Sequence, residues 1–377
     1  MTQQPIAIIG AGIGGLTLGR CLAKHGIPAK VYERRPSPPR HSYGITLHTS
    51  SYRPLLKVLN IDEAAFKRYT AVDSGICGSG KIDPQALIRP RNIDADSFRA
   101  HREKVERLLR KGPNISYDNA LEKVETAPEG MTLHFKGGKK VESSCVIGVD
   151  GSHSTLMNLV SPNTSPEVLP FVAFNGKRRV KRDLFDNVYA PYMKDTNVVE
   201  ERGDVVLSVS VNEYRDDHVS VSWVYSRPAY GSKDALYRPN RPTSGATEIS
   251  DEFYEEIGAL ETLPHLWAEL FDRRKIKEDR VLAWLMRTTK VELSELQELG
   301  KRGVFFMGDA VHAEPIIGGE GANVAIRDGV SLAECIATRG TEGISAWYDE
   351  QYVGWQAGVR QSEQAIAGMH GEQKSSL

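Results

Sequence analysis

The stretch Ile6-Ala-Ile-Ile-Gly10-Ala-Gly12-Ile-Gly14-Gly15-Leu-Thr-Leu decides the fold. Four apolar residues running into glycine read as a strand buried on both faces. Leu16, Leu18, Cys21 and Leu22 then supply an apolar stripe, which predicts a helix from about Gly14 to His25, stopped at Gly26. Ala29–Glu33 reads as a second strand. Strand, turn, helix and strand follow one another within about 30 residues. In that frame Gly10 permits a tight turn and Gly12 the close approach of a pyrophosphate. Gly15 lets helix and strand pack closely, and the helix start offers free N–H groups to phosphates. Glu33 follows Gly15 by 18 residues, at the strand end. A carboxylate there accepts hydrogen bonds from ribose hydroxyls and repels a 2′-phosphate. These residues alone imply a dinucleotide with a free 2′-hydroxyl, NAD or FAD.

Working outward, the chain has 377 residues, room for two or three domains. Charged residues make up 26% and the formal net charge is -1, so no basic field invites nucleic acid or an anionic membrane. Cys21, Cys77, Cys145 and Cys335 are far apart, which disfavours a disulfide framework or a zinc site and fits a reducing compartment. No signal-peptide pattern and no long uncharged apolar run is present, so a cytoplasmic protein without a membrane span is expected. The tail Lys374-Ser-Ser-Leu377 only approximates a peroxisomal address. The scattered histidines form no metal pattern, so no metal site is expected.

Along the chain, 35–51 reads as a loop, Tyr52–Leu59 as a helix, Ser74–Pro90 as short strands with turns, and Ser97–Lys111 as one charged helix. Asn114–Tyr117, Leu121–Thr126, Met131–Phe135 and Cys145–Val149 read as strands. Val205–Val211 and His218–Val224 are β-branched and alternating, hence antiparallel sheet. Asp251–Ile257 and Leu263–Phe271 look helical. Gly303–Met307 returns to a buried strand, and 321–368 is mostly helical. Parallel-type strands at both ends enclose an antiparallel segment. The expected fold is therefore α/β, a discontinuous nucleotide domain (1–70, 95–165, 281–377) with an inserted antiparallel substrate domain (71–94, 166–280) and C-terminal helices.

A second glycine segment settles which dinucleotide. Gly308-Asp309-Ala-Val-His312-Ala-Glu-Pro315-Ile-Ile-Gly318-Gly319-Glu320-Gly321-Ala322-Asn323 resembles the FAD motif of the single-component flavin monooxygenases, the aromatic-hydroxylase family typified by para-hydroxybenzoate hydroxylase. Asp150-Gly151 resembles that family's DG motif, and Arg102 matches its FAD-contacting arginine. Motifs in this order cover nearly the whole chain. The resemblance implies a glutathione-reductase-like Rossmann domain holding FAD. It implies that Gly10, Gly12, Gly14, Gly15, Glu33, Arg34, Gly44, Arg102, Asp150, Asp309, Pro315, Gly318, Gly319, Gly321, Ala322 and Asn323 form the cofactor site. Trp223-Val-Tyr225-Ser-Arg227-Pro228 and Arg280–Arg287 look like a fungal subgroup associated with secondary metabolism.

The implied reaction is oxygenation by O2 through a flavin C4a-(hydro)peroxide, with NADPH or NADH as transient reductant. The implied substrate is a small aromatic or polyketide-like molecule, and the implied state is monomer or homodimer. One position departs. The family's DG motif ends in an arginine linked to pyridine-nucleotide encounter, and here it is Met157. His153 and Arg178 are the candidates to compensate. A flavin oxidase or reductase without oxygen transfer, and a non-catalytic flavin protein, fit the same glycine motifs. For substrate contact, Tyr225 leads, followed by His218, Arg202 and Tyr192. A packed pair with Trp223 is the plainer role for Tyr225. His312 is expected to be structural, and Trp284 and Arg287 to border the substrate cavity or anchor the domain seam.

Overall fold

The computed structural model describes residues 4–38, 42–87, 93–127, 130–164, 166–318 and 320–371. Gly319 and the tail address at 374–377 lie outside them. A five-stranded parallel sheet runs Val304–Phe306, Val146–Gly148, Ile6–Ile9, Ala29–Tyr32, Asn114–Ser116. Ile6–Ile9 is buried throughout, as a strand covered on both faces must be. The helix Ile13–Lys24 packs on it, and Leu16, Leu18 and Leu22 are fully buried. The helices Gly321–Arg339 and Ile344–Gly371 close the domain.

The second five-stranded sheet is antiparallel, ordered Val198–Arg202, Val206–Tyr214, His218–Pro228, Glu167–Lys181, Arg280–Thr288. Strand alternation gives it two unlike faces. One face carries Leu207, Val209, Trp223, Tyr225 and Phe174, packed under the helices Asp251–Gly258 and His265–Leu270. The other carries Ala173, Val206 and Val224, which meet Ile317 of the glycine loop.

Several sequence expectations are corrected. Ser97–Lys111 is not one helix. Phe98–His101 is a strand paired with Gly44–Leu47, and only Arg102–Leu109 is helical. Phe98 and Ala100 alternate into the core against Tyr52 and Phe66, a packing that charge density concealed. The expected loop at 35–51 thus holds a strand. Ser74–Pro90 forms, over its described part, the short turns Ser74–Ile76 and Pro84–Ala86 with one bridge, Lys81 to Phe98. Asp73 organises it by accepting from Gly80 N at 2.7 Å.

Glu167–Lys181, Val198–Arg202 and Arg280–Thr288 were not expected as strands. Glu167–Lys181 carries a proline, a glycine and a basic run, all poor strand signals. Its Gly176 is required by tertiary packing, because a Cβ there would stand 2.0 Å from the Trp223 indole. Arg280–Thr288 pairs with Glu167–Lys181, so the antiparallel sheet reaches Thr288, past the expected boundary at 280.

Candidate functional site

A groove of about 440 Å³ opens along the ends of the parallel strands. Gly10, Gly12, Gly14, Glu33, Arg34, Arg102, Asp150, Asp309, Gly321 and Ala322 line it, drawn from segments 300 residues apart in the chain. The two glycine motifs therefore form one site.

Each glycine in the turn has its own reason. Gly10 has φ +107, and a Cβ on it would lie 2.5 Å from Val149 O. A Cβ on Gly15 would lie 2.0 Å from Gly10 O, so this glycine serves packing beneath the groove. Gly12 differs, because a Cβ on it would meet nothing within 4 Å. It faces open groove. The helix that follows has no side-chain cap and no acidic residue in its first turn, which leaves its N–H groups to a ligand. Glu33 accepts from Ala11 N and Arg35 N, both at 3.0 Å. Its carboxylate is fixed at the groove edge with lone pairs to spare.

The far half is acidic. Asp150 Oδ2 accepts from Thr155 N at 2.7 Å and Leu156 N at 3.2 Å, while its buried Oδ1 has no partner. Burial pushes the Asp150 and Asp309 carboxyls above the usual range. A buried acceptor without a protein partner, as Asp150 Oδ1 is, suits a hydroxyl of a sugar or sugar-alcohol chain. Arg102 is held by the Tyr43 hydroxyl and by Glu106 Oε1 at 2.8 Å.

Behind Asp309 lies a buried cluster. His312 Nε2 is 2.7 Å from Asp328 Oδ2, which also accepts from Gly308 N at 3.0 Å. Trp355 stacks on the imidazole and donates to Asp328 Oδ1 at 3.1 Å. Burial opposes the imidazolium, but the Asp328 and Asp309 carboxylates outweigh it and hold the His312 pKa above its ordinary value. His312 is thus a support of the Gly308-Asp309 turn.

Other predicted residues sit elsewhere. Gly44 N donates to Asn212 Oδ1 at 2.9 Å, and a Cβ there would press within 2.8 Å of Val211 O. Gly44 is therefore a seam residue between the hairpin and the substrate sheet, off the groove lining. Asn323 turns its side chain to the hairpin, accepting from His48 N at 3.0 Å and donating to Thr46 O at 3.0 Å. Pro315 is buried, and Gly318 closes the turn Ile316–Gly318.

The leading substrate-contact candidate is misplaced. Tyr225 is 1% exposed on the helix-covered face, where it bonds Glu256 and packs edge-on to Phe253. The even-numbered residues of its strand face the glycine loop instead. His218 pairs with Asp217, Arg202 donates to Gly368 O, and Tyr192 is exposed. None of the four lines the groove.

Met157 is 3% exposed and belongs to the apolar core. Of its two candidate substitutes, Arg178 is committed to Asp279 at 2.8 Å. His153 Nε2 instead lies 3.1 Å from Arg287 Nη1. Burial first, and then the positive charges of Arg287 and Arg34, pull the His153 pKa down. Sequence reasoning missed Ala11, Arg35, Asn119, Ala120, Leu121, Thr155 and Ala325 on the groove wall. Only Ala11, Thr155 and Ala325, which sit within the motif runs, carried a signal.

The FAD binding domain family model matches residues 3–352. The chain belongs to this family of FAD-dependent monooxygenases. It is 33% identical to FAD-dependent monooxygenase nscC of Neosartorya fischeri, over 97% of this chain and 95% of that one. It is 32% identical to FAD-dependent monooxygenase adaC of Aspergillus niger, over 97% and 93%. Among solved structures, 2,6-dihydroxypyridine-3-hydroxylase from Arthrobacter nicotinovorans superposes with TM-score 0.73 at 17% identity, covering 98% and 94%. A putative FAD containing monooxygenase from Photorhabdus luminescens gives 0.71 at 19%, covering all of both chains. These two show the fold. The monooxygenase has, among its described residues, no helix long and apolar enough to cross a membrane.

Proposed function

We propose that the enzyme uses NADPH or NADH and O2 to oxygenate a small aromatic or polyketide-like molecule. The observation that carries this is the single groove made by both glycine motifs, open above Gly12 and ending in the partnerless Asp150 Oδ1. FAD, when bound, supplies the redox and oxygen-activating chemistry. Gly10 to Gly14 and the helix N-terminus would hold its pyrophosphate, and Glu33 its ribose. Asp309 and Asp150, on the same lining, would take its remaining hydroxyls. The backbone N–H groups of Gly321 and Ala322, on the groove lining, would favour negative charge on its ring.

The reductant meets a different surface. Arg34 lines the groove, the charges of Arg34 and Arg287 both act on His153, and none of the three pairs with a carboxylate among the described residues. Such a cluster suits the phosphates of a transient pyridine nucleotide, the role that Met157 vacates. Substrate then lies against the sheet face bearing Ser208, Ser222 and Val224, beside Ile317. The test mixes purified holoprotein with NADPH or NADH under anaerobic conditions. Flavin bleaching that candidate phenols accelerate supports the reading. Flavin that neither nucleotide bleaches, with any candidate present, overturns it. Met157 also favours a reductant-independent oxidase. That enzyme would consume O2 with substrate alone.

A further inference from the structure

Glu33 repels a 2′-phosphate, so the ribose of NADPH does not share the FAD groove. Arg287, beside His153, lies on the edge strand Arg280–Thr288 of the substrate sheet. Earlier on that strand, Ala283 O accepts from Arg241 Nη2. Arg241 Nη1 donates to Pro242 O at 3.2 Å, and Arg238 Nε donates to Ala235 O at 3.2 Å. Both arginines come from the loop region that follows the strand His218–Pro228, and neither lines the groove.

Other arginines of this domain are spent on carboxylates. Arg178 pairs with Asp279 at 2.8 Å, and buried Arg227 with Asp234 and Glu256. Arg241 is half-buried, yet the oxygens that accept from it are neutral carbonyls. Burial first, and then the positive charges of Arg287 and Arg238, pull the Arg241 pKa down. Glu248 opposes them and comes after both. The Arg238 charge also reaches the exposed Glu252, but counts there for less than that carboxylate's own hydrogen bonds. A guanidinium that exchanges water for carbonyls and like-charged neighbours is costly until an anion joins it.

The geometry of the fork suits such an anion. The two carbonyls use one N–H on each terminal nitrogen of Arg241 and fix the plane of the group. The second N–H of each remains for a ligand. A planar fork binds a phosphate through two parallel hydrogen bonds. The cations therefore fall into two groups joined by one strand, Arg34 and Arg287 beside His153, and Arg241 with Arg238. A ligand that meets both carries two separated phosphate groups. An adenosine with a 5′-pyrophosphate and a 2′-phosphate has them on one ribose.

We propose that Arg241 and Arg238 form a subsite for the 2′-phosphate of NADPH, so that the enzyme takes NADPH in preference to NADH. The inference rests on the reductant reading above, which puts the pyrophosphate on Arg34, Arg287 and His153. It adds that the substrate domain, through its loop, reads which nucleotide has arrived.

The test titrates holoprotein, with its FAD oxidised, against 2′,5′-ADP, 5′-AMP and inorganic phosphate. The proteins are the parent, Arg241→Gln and Arg238→Gln. Glutamine keeps an N–H for Ala283 O, and the Arg238 side chain is exposed, so both variants should fold. The parent should bind 2′,5′-ADP at least about tenfold more tightly than 5′-AMP, the worth of a charge-assisted contact. Each variant should lose that margin and bind 5′-AMP as before. In anaerobic flavin bleaching, each variant should need about tenfold more NADPH for half-maximal rate, with NADH unchanged. Arg287→Ala should weaken both nucleotides. Equal binding of the two adenosine phosphates by the parent, displacement of 2′,5′-ADP by a like concentration of inorganic phosphate, or variants that weaken NADH as much as NADPH would overturn the subsite alone. Flavin that neither nucleotide bleaches overturns the reductant reading, and the subsite falls with it.

Discussion

Gly12→Ala separates cofactor binding from folding. Gly12 has φ -74 and ψ -178, extended backbone open to any residue, and the added methyl meets no protein atom within 4 Å. The folded apoprotein should therefore gain about 0.4–1 kcal/mol, because alanine reduces the freedom of the unfolded chain. The melting temperature should rise by about 0.5–1 °C. The methyl occupies the space that brings a pyrophosphate against the helix start. Losing one charge-assisted N–H contact costs about 1.5–3 kcal/mol. FAD affinity should then fall about 10- to 100-fold. Gly15→Ala behaves oppositely, since its methyl would stand 2.0 Å from the Gly10 carbonyl oxygen and must push the helix away. That variant loses stability before it loses anything else. The assays are thermal unfolding of the apoprotein and FAD titration by flavin fluorescence. A Gly12→Ala apoprotein that melts several degrees lower, or that binds FAD as the parent does, refutes the reasoning.

Three further outcomes follow from the geometry. Tyr225→Phe removes one hydrogen bond to Glu256 on the helix-covered face and should cost about 1 kcal/mol of stability, with turnover unchanged. A large rate loss in a stable, flavin-replete variant would return Tyr225 to the site. The His312 pKa is raised in the fold, so its stabilising effect is complete below the ordinary imidazole pKa, about 6.5, and is lost as pH rises through the folded value. Apoprotein melting temperature should drop from mildly acidic to alkaline pH, and His312→Gln should flatten that slope. If the slope is unchanged in the variant, the His312–Asp328 pair does not cause it. Arg287→Ala should raise the KM for NADPH about tenfold or more by removing a phosphate contact, with FAD content intact. An unchanged KM would place the reductant elsewhere.

How much was legible in the sequence depended on whether backbone or side chains carried the signal. Gly10, Gly12 and Gly15 are dictated by local geometry and close approach, so their spacing sufficed to place them. The Gly308–Asn323 run, matched by resemblance, turned a general dinucleotide turn into half of an FAD groove. Phe98–His101 was hidden because Arg99 is spent on Ser210 of the substrate sheet and His101 is buried, while Phe98 and Ala100 reach a core assembled from Tyr52 and Phe66. Glu167–Lys181 was hidden because Gly176, a weak strand residue, is required by an indole that comes from another strand. Tyr225 was misassigned for a related reason. Alternation put Trp223 and Tyr225 on one face, but only the helices Asp251–Gly258 and His265–Leu270 show which face is covered. Gly44 lies at a contact between domains, which no local pattern announces.

Oxygen transfer from O2, with FAD in the two-motif groove, can be followed by isotope. The most direct measurement supplies isotopically labelled dioxygen to the holoprotein with NADPH and a panel of polyketide-type phenols, and weighs the products. The product should carry one labelled oxygen atom, formed in step with nucleotide oxidation. Nucleotide oxidation that yields only labelled hydrogen peroxide, with every phenol unlabelled, would contradict oxygen transfer.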